Sequence, residues 1–230
     1  MAKVFIKSEL TNKTSVFQDR FEAGFVLSEM LRPSYEKARN TLVLAIPAGG
    51  VPIGVVVSKE LDLPIDIILV RKIHFPDNPE AGFGALSFDG EIILNEELVS
   101  YAGLTQELIE QQIEKEKKDL EERERLFRQG RPFPDLSGQK VIVVDDGLAS
   151  GYTMLAAVKS IARHKAQKII VAVPTASDRA ISKISPLVDE IFCPNVRTGR
   201  YFAVADAYRR WYDLSREEVL FLLKEAKITS

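Results

Sequence analysis

The sequence predicts an α/β fold of three layers, with a mainly parallel five-stranded sheet between two layers of helices. Short apolar runs alternate with helical segments along the chain, which is the order expected of right-handed βαβ crossovers. The runs are rich in Val and Ile, as strands buried on both faces are. They comprise residues 41–46, 65–70, 141–144, 168–173 and 190–193.

The composition excludes several classes of partner. The chain has 230 residues, enough for one substantial domain, and we treat residues 1–230 as a single domain. Its net charge of −2 shows no basic bias, so nucleic acid is not an expected partner. Cys193, the one cysteine, cannot form an internal disulfide. Because neither a signal peptide nor an 18-residue apolar span is found, we expect a cytoplasmic protein without a membrane partner.

The stretch that carries most chemistry comprises residues 141–153, which read VIVVDDGLASGYT. Four apolar residues precede Asp145 and Asp146, and a loop of small residues then leads into a helix predicted over 153–162. Ligands of open α/β sheets bind at the carboxyl ends of the strands. The free N–H groups and positive dipole of a helix start favour a phosphate. The stretch therefore predicts two carboxylates beside an anion-binding loop.

This stretch resembles the 5-phosphoribosyl 1-pyrophosphate (PRPP) signature of the type I phosphoribosyltransferases, a hydrophobic strand, two acidic residues and a loop ending in Thr-Gly-x-Thr. Here the loop ends Ser150-Gly151-Tyr152-Thr153, which keeps a hydroxyl where the family has its first Thr. The resemblance implies the phosphoribosyltransferase type I fold. It also implies transfer of the 5-phosphoribosyl group of PRPP to a nitrogenous base or similar small-molecule acceptor, with release of pyrophosphate and with Mg²⁺ as cofactor.

The resemblance further implies roles for particular residues. Asp145 and Asp146 are then catalytic, holding the ribose hydroxyls and favouring the positive charge of the transition state. No Cys/His cluster has metal-ligand spacing, so we expect no metal held directly by protein side chains alone. The resemblance also assigns the 5′-phosphate of PRPP to Ala149, Ser150, Gly151, Tyr152 and Thr153. Finally, we expect the protein to form a homo-oligomer, namely a dimer.

Two further segments are candidates for pyrophosphate binding. Gly49 and Gly50 follow the first apolar run, and their missing Cβ allows close backbone approach. In the resembled family this loop contacts pyrophosphate and often carries a basic residue before the glycines, where this chain has Ala48. Arg71 and Lys72 follow the second run, and their charges suit pyrophosphate oxygens.

Residues 74–130 are predicted to hold a flap and a charged helical insertion. Asn78 to Leu86 resemble a segment of a bacterial and archaeal subgroup of the family, and Asp89-Gly90 indicates a hairpin. Fourteen of the twenty-five residues in 105–129 are charged. The apolar side chains there share one helix face, so we interpret the helix as docked on its own domain or a second subunit, with the mobile part of the flap at 75–90. These side chains are Ile109, Ile113, Leu120 and Phe127.

The two ends of the chain, residues 1–14 and 186–230, are predicted to form a hood that receives the acceptor. Its aromatic residues are candidates for stacking on a planar acceptor, namely Tyr201, Phe202 and Trp211. Ser215 and Glu218 have the spacing of a capping box, which predicts a last helix.

A first helix is predicted over residues 15–31. Phe17, Phe21 and Phe25 recur every fourth residue, Leu27 or Met30 widen this apolar face, and the aromatic stripe is expected to belong to the core. Arg32-Pro33 is expected to end it.

Two other functions stay open at this point. One is a regulatory or binding protein that senses PRPP or a nucleotide without catalysis, which Ala48 and the charged insertion favour. The other is a receiver domain that uses Asp145 or Asp146 as phospho-acceptor. A receiver usually has its acidic pair early in the chain and its acceptor on a later strand, which counts against this second alternative.

Overall fold

The apolar runs form the strands of a central sheet in a computed structural model of the chain. The structure describes residues 1–199 and 201–226, except for the side chains of residues 79 and 80. The strands are β1 (Lys3–Phe5), β2 (Thr41–Ala45), β3 (Ile65–Ile67), β4 (Val70–Phe75), β5 (Asn78–Ser87), β6 (Ile92–Leu94), β7 (Lys140–Val144), β8 (Lys168–Ala172), β9 (Thr175–Ser177), β10 (Glu190–Phe192) and β11 (Asn195–Arg197). The α-helices are α1 (Arg20–Tyr35), α2 (Gly50–Leu61), α3 (Glu96–Tyr101), α4 (Gln106–Arg128), α5 (Tyr152–Arg163), α6 (Asp178–Ile184) and α7 (Arg216–Glu225).

The central sheet is parallel throughout and has the strand order β1-β10-β8-β7-β2-β3. Each of the five predicted strands contributes a strand to it, the second only through its first residues, so the predicted α/β class with a parallel sheet is confirmed. The sheet has six strands instead of five, because β1 pairs with β10 at one edge. The N-terminal residues were expected in the hood. β1 is short and largely exposed, so it lacks the apolar run by which a buried strand is recognised.

Alternate side chains of each strand point to opposite faces of the sheet, which produces the three layers. Val141 and Val143 of β7 pack with α5, whereas Ile142 and Val144 pack with α1 and α2 on the other face. All four of these residues are fully buried. The central strand is therefore covered on both sides, as its unbroken apolar run predicts.

The predicted core face of α1 was wrong for Phe21 and Phe25, whereas Leu27 is buried as expected. Phe21 and Phe25 are 40% and 50% exposed, and the buried Phe17 precedes the helix. The face that packs inward carries small and aliphatic residues because α1 approaches α2 closely; a Cβ on Gly24 would lie 2.8 Å from Cβ of Val56. Asp19 caps the helix, which continues past the expected end through Pro33. The buried residues are Arg20, Ala23, Gly24, Leu27, Ser28, Leu31 and Tyr35.

The second predicted strand, residues 65–70, is divided between two sheets. β3 ends at Ile67, and the next N–H, that of Ile68, still donates to the carbonyl of Ala45. The carbonyl of Leu69 instead accepts from Phe88 of the hairpin, so the chain enters a second, antiparallel sheet of order β4-β5-β6. Arg71 and Lys72 are therefore within β4 and do not end a central strand.

The charged helix α4 packs on its own domain, which is the first of the two arrangements expected from the sequence. Ile109, Leu120 and Phe127 are buried in the core on the α1 side of the sheet. Arg128, at the end of the helix, is also buried, and its two terminal nitrogens lie 3.1–3.2 Å from the carboxylate oxygens of Asp66 on β3. The apolar side chains on one face of this otherwise charged helix therefore indicate that the helix is docked.

The C-terminal quarter of the chain completes the domain beyond β8. β9 and β11 form a parallel pair outside the central sheet, and Ser215 and Glu218 form the predicted capping box of α7. Cys193 follows β10, is fully buried, and donates its N–H to the carbonyl of Phe5 on β1. None of the helices in the described parts of the chain is both long and apolar enough to cross a membrane.

Candidate functional site

Asp145 and Asp146 lie at the carboxyl end of β7, near the middle of the central sheet. They line a cavity of about 250 Å³ together with the loop that follows them. The residues of the cavity wall are Lys72, Asp145, Asp146, Gly147, Leu148, Ala149, Ser150, Gly151, Thr153, Met154 and Val204. Four of the five residues predicted to bind the 5′-phosphate are among them; the fifth, Tyr152, has its ring 3.5 Å below Nζ of Lys183.

The loop ahead of α5 is held from outside the cavity by Lys183 of α6 and by Ser177, the residue that caps the start of α6. Ser177 Oγ donates to the carbonyl of Ala149 at 2.7 Å, and Lys183 Nζ donates to the carbonyl of Ser150 at 2.9 Å. In a planar trans peptide the N–H points opposite to the carbonyl, so the N–H groups of Ser150 and Gly151 are directed away from α6. Gly151 has φ +80°, a conformation that favours glycine. The first turn of α5 adds further N–H groups without helical acceptors.

The glycine loop between β2 and α2 lies against the acid pair. A Cβ built on Gly49 would lie 1.9 Å from Oδ2 of Asp146, and one on Gly50 would lie 2.6 Å from the carbonyl oxygen of Val144. The peptide bond between Pro47 and Ala48 is cis. β2 and β7 are neighbours in the sheet, which explains why loops distant in sequence meet. The structure therefore brings Gly49 and Gly50 together with the two aspartates.

A buried arginine neutralises part of the acidic charge. Arg20 Nε and Nη2 each lie 3.0 Å from Oδ2 of Asp146. Burial raises the pKa of Asp145 well above its usual range, and the charge of Asp146 raises it further. Burial likewise raises the pKa of Asp146, but the charge and hydrogen bonds of Arg20 oppose that rise. Two buried carboxyl groups so close together resist carrying two negative charges, so a cation or hydroxyl donors placed beside them would stabilise their ionised forms.

The hood contacts the acid pair through residues other than those predicted. Tyr208 donates its hydroxyl to the carbonyl of Asp146 at 2.6 Å, and Val204 contributes to the cavity wall. Of the three aromatics expected to stack on an acceptor, Tyr201 is 93% exposed. The ring centre of Phe202 lies 5.0 Å from the guanidinium carbon of Arg197. The ring centre of Trp211 lies 3.9 Å from the guanidinium carbon of Arg20. None of these three is in the wall of the cavity described above.

The two cations expected at the pyrophosphate lie on different sides of β4. Lys72 lines the cavity. Arg71 does not; its Nη2 lies 3.3 Å from Oε2 of Glu116, and its Nε lies 2.8 Å from Oδ2 of Asp119. Both acceptors are on α4. The assignment of Arg71 to pyrophosphate is therefore not supported by its position, because consecutive residues of a strand point in opposite directions.

Arg20 is the charged partner of the acid pair that the sequence reasoning missed. It occupies the helix register of Leu27 and Leu31, seven and eleven residues later, and so lies on the buried face of α1. A charged residue in a buried register was the available signal, since such a residue needs a partner. The regular spacing of the phenylalanines instead favoured the face of α1 that is exposed. Lys183 had no comparable signal, because the position of α6 beside the loop depends on the fold.

A wider cavity, of about 530 Å³, lies between the ends of α4 and α7. Its wall includes Phe127, Arg131, Phe221 and Lys224 and has none of the acid pair or the loops beside it. Its wall carries cations but no carboxylate, so the smaller cavity at β7, which has two carboxylates, is the candidate site.

The chain is similar to proteins of one family. Residues 26–206 match the family model described as "Phosphoribosyl transferase domain". A protein of Mycobacterium tuberculosis strain H37Rv, named "Putative phosphoribosyl transferase Rv0571c", is 35% identical over 211 residues, which are 92% of this chain and 47% of the relative. The chain thus spans about half the length of the curated relatives it matches.

Solved structures agree with this result. The crystal structure of TT1426 from Thermus thermophilus is 32% identical and has a TM-score of 0.72, over 91% of this chain and 98% of that one. A hypoxanthine phosphoribosyltransferase from Staphylococcus aureus is 11% identical with a TM-score of 0.50, over 89% and 88% of the two chains. At that identity the second likeness concerns the fold alone.

Proposed function

Because this chain belongs to the phosphoribosyl transferase family, we propose that it transfers the 5-phosphoribosyl group of PRPP to a nitrogenous base or similar acceptor and releases pyrophosphate. The observation that carries the proposal is the convergence of Asp145 and Asp146, the phosphate loop before α5 and the glycine loop before α2. Two aspartates suit the two hydroxyls of a ribose, and two loops that can bind through their backbone suit a phosphate and a pyrophosphate.

The reaction is a displacement at C1 of the ribose. The acceptor nitrogen forms a bond to C1 while the bond to pyrophosphate breaks, and the ribose carries positive charge in between. Asp145 and Asp146 hold the 2′- and 3′-hydroxyls and stabilise that charge electrostatically. The N–H groups around Gly151 hold the 5′-phosphate. Lys72 and the backbone at Gly49 hold the pyrophosphate, so no covalent nucleophile is needed.

Mg²⁺ fits this set of side chains. In the described residues no group of three His, Cys, Asp or Glu side chains could hold an ion alone. Mg²⁺, however, usually takes one or two carboxylates together with phosphate oxygens and water. Asp145 and Asp146 would hold it, directly or through the ribose hydroxyls. When bound, the ion would neutralise charge on the phosphate oxygens of PRPP.

A second candidate function is PRPP or nucleotide sensing without catalysis. Ala48 supplies no charge to the glycine loop, and Arg71 forms ion pairs with Glu116 and Asp119 of α4. The pyrophosphate end of the site therefore has less positive charge than the sequence predicts. A sensor would bind PRPP and release no pyrophosphate with any acceptor.

The test is a screen for pyrophosphate release from PRPP and Mg²⁺ across purine and pyrimidine bases, with the wild type, Asp145→Asn and Asp146→Asn. We expect one base to give turnover that falls about tenfold or more in each variant, since about 1.4 kcal/mol of lost transition-state stabilisation is a factor of ten. The thermal midpoint of each variant, within a few degrees of the wild type, is the control for folding. Equal turnover in all three proteins would remove the aspartates from the mechanism, and PRPP binding without release would favour the sensor.

A further inference from the structure

The charged helix α4 carries one acidic residue that is buried on its inner face. The side chain of Glu116 is 5% exposed, although it lies in a helix that is otherwise rich in solvated charge. Its two carboxylate oxygens have separate partners on β4. Oε2 lies 3.3 Å from Nη2 of Arg71, and Oε1 lies 2.8 Å from Nδ1 of His74. One carboxylate thus joins α4 to two positions of the strand that carries Lys72.

The backbone of β4 explains how both partners reach the same carboxylate. Residues 71 and 74 of a regular strand would point to opposite faces. The pairing of β4 with β5 shifts register between Ile73 and His74, and such an irregularity redirects the side chains that follow it. Arg71 and His74 therefore share the side of α4. Lys72, between them, is directed the other way and lines the cavity with Asp145 and Asp146.

The path of the Lys72 side chain is also confined. A Cβ on Gly82 of β5 would lie 2.3 Å from Cγ and 2.4 Å from Cδ of Lys72, so the stem of the lysine crosses the glycine at close range. A shift or rotation of β4 would move this stem with it. The position of the ammonium group therefore depends on how firmly β4 is held on its opposite side.

We propose that Glu116 is a positioning residue, which clamps β4 through Arg71 and His74 so that Lys72 is held at the cavity to receive the pyrophosphate of PRPP. The inference rests on the proposed function and extends it by assigning a task to the charged insertion. α4 is itself fixed at its end by the buried pair of Arg128 and Asp66. The helix is thus a rigid support for the strand that presents the cation.

The electrostatic state of Glu116 agrees with this task. Burial alone would raise the pKa of its carboxyl group, but the hydrogen bond from His74 and the charge of Arg71 outweigh burial, so the pKa is lower than usual. The carboxylate is therefore ionised at neutral pH. An ionised acceptor forms stronger hydrogen bonds with both partners than a neutral amide would.

The test compares Glu116→Gln with Glu114→Gln, a variant of the same helix at an exposed position. Calorimetric titration with PRPP and Mg²⁺ should show about tenfold weaker binding for Glu116→Gln and unchanged binding for Glu114→Gln, because a loosened strand no longer places the lysine. Hydrogen exchange without ligand should be faster in residues 70–75 of Glu116→Gln than in the wild type.

A double-mutant cycle with Lys72→Met separates positioning from a general loss of structure. If Glu116 acts through Lys72, Glu116→Gln should weaken PRPP binding little further in the Lys72→Met background. Fully additive losses, or wild-type affinity in Glu116→Gln, would overturn the inference. Failure of the wild type to bind PRPP would instead refute the proposed function, and the exchange of residues 70–75 would still report whether Glu116 holds β4.

Discussion

Replacing Gly49 by valine is expected to lower PRPP-dependent turnover about 100-fold, since displacements of about 1 Å at a reacting centre have effects of that size. Gly49 has φ −61° and ψ −34°, which any residue adopts, so glycine is required here for space. A Cβ would lie 1.9 Å from Oδ2 and 2.4 Å from Cγ of Asp146. Either the glycine loop or the carboxylate must move, and both belong to the proposed site.

The measurement is the rate of pyrophosphate release with the best acceptor, at saturating PRPP. Ala48→Ser is the matched control, because it changes the same loop at a residue that already has a Cβ; its turnover should stay near that of the wild type. Circular dichroism and the thermal midpoint establish that Gly49→Val is folded. Wild-type turnover in a folded Gly49→Val protein would show that the contact between this loop and Asp146 has no role in the reaction.

Replacing Arg128 by methionine is expected to lower the free energy of unfolding by about 3–5 kcal/mol, the usual cost of leaving one partner of a buried ion pair uncompensated. Arg128 is 3% exposed and contacts both carboxylate oxygens of Asp66. It also donates to the carbonyls of Ile67 at 3.1 Å and Pro132 at 2.5 Å. These bonds tie the end of α4 to β3 and to the chain that leads to β7.

Urea unfolding followed by circular dichroism measures the change. Arg125→Met, one turn earlier on the exposed face of α4, should change the free energy of unfolding by no more than about 0.5 kcal/mol. The double variant Arg128→Met, Asp66→Leu should recover part of the loss, because it leaves no charge unpaired. Equal stability of Arg128→Met and Arg125→Met would mean that the buried pair contributes nothing to the docking of α4.

The central sheet and the acid pair were predictable because their signals are local. A run such as residues 141–144 is apolar on both faces of a strand, as is typical of a parallel strand between two helical layers. The carboxylates directly follow the run, so their place at the edge of the sheet follows from chain order. β1 had no such signal, since three largely exposed residues carry no pattern.

The rest of the site depends on contacts between distant segments. Arg71 and Lys72 are adjacent in sequence, and no local feature indicates that α4 takes one while the cavity receives the other. The exposure of Phe21 and Phe25 likewise follows from the close approach of α1 to α2, which selects small residues for the buried face. The hood aromatics were assigned by ring chemistry, but Trp211 lies against Arg20 instead.

The burial of Cys193 makes the chain convenient for spectroscopic work. The thiol is fully enclosed beside β1 and β10, and burial raises its pKa well above the usual range, so the reactive thiolate is scarce at neutral pH. No other cysteine is present in the 230 residues. A thiol introduced at an exposed position, such as residue 114 of α4, would therefore accept a maleimide dye selectively. Distances between dyes on α4 and on the flap hairpin could then be followed in an otherwise native background.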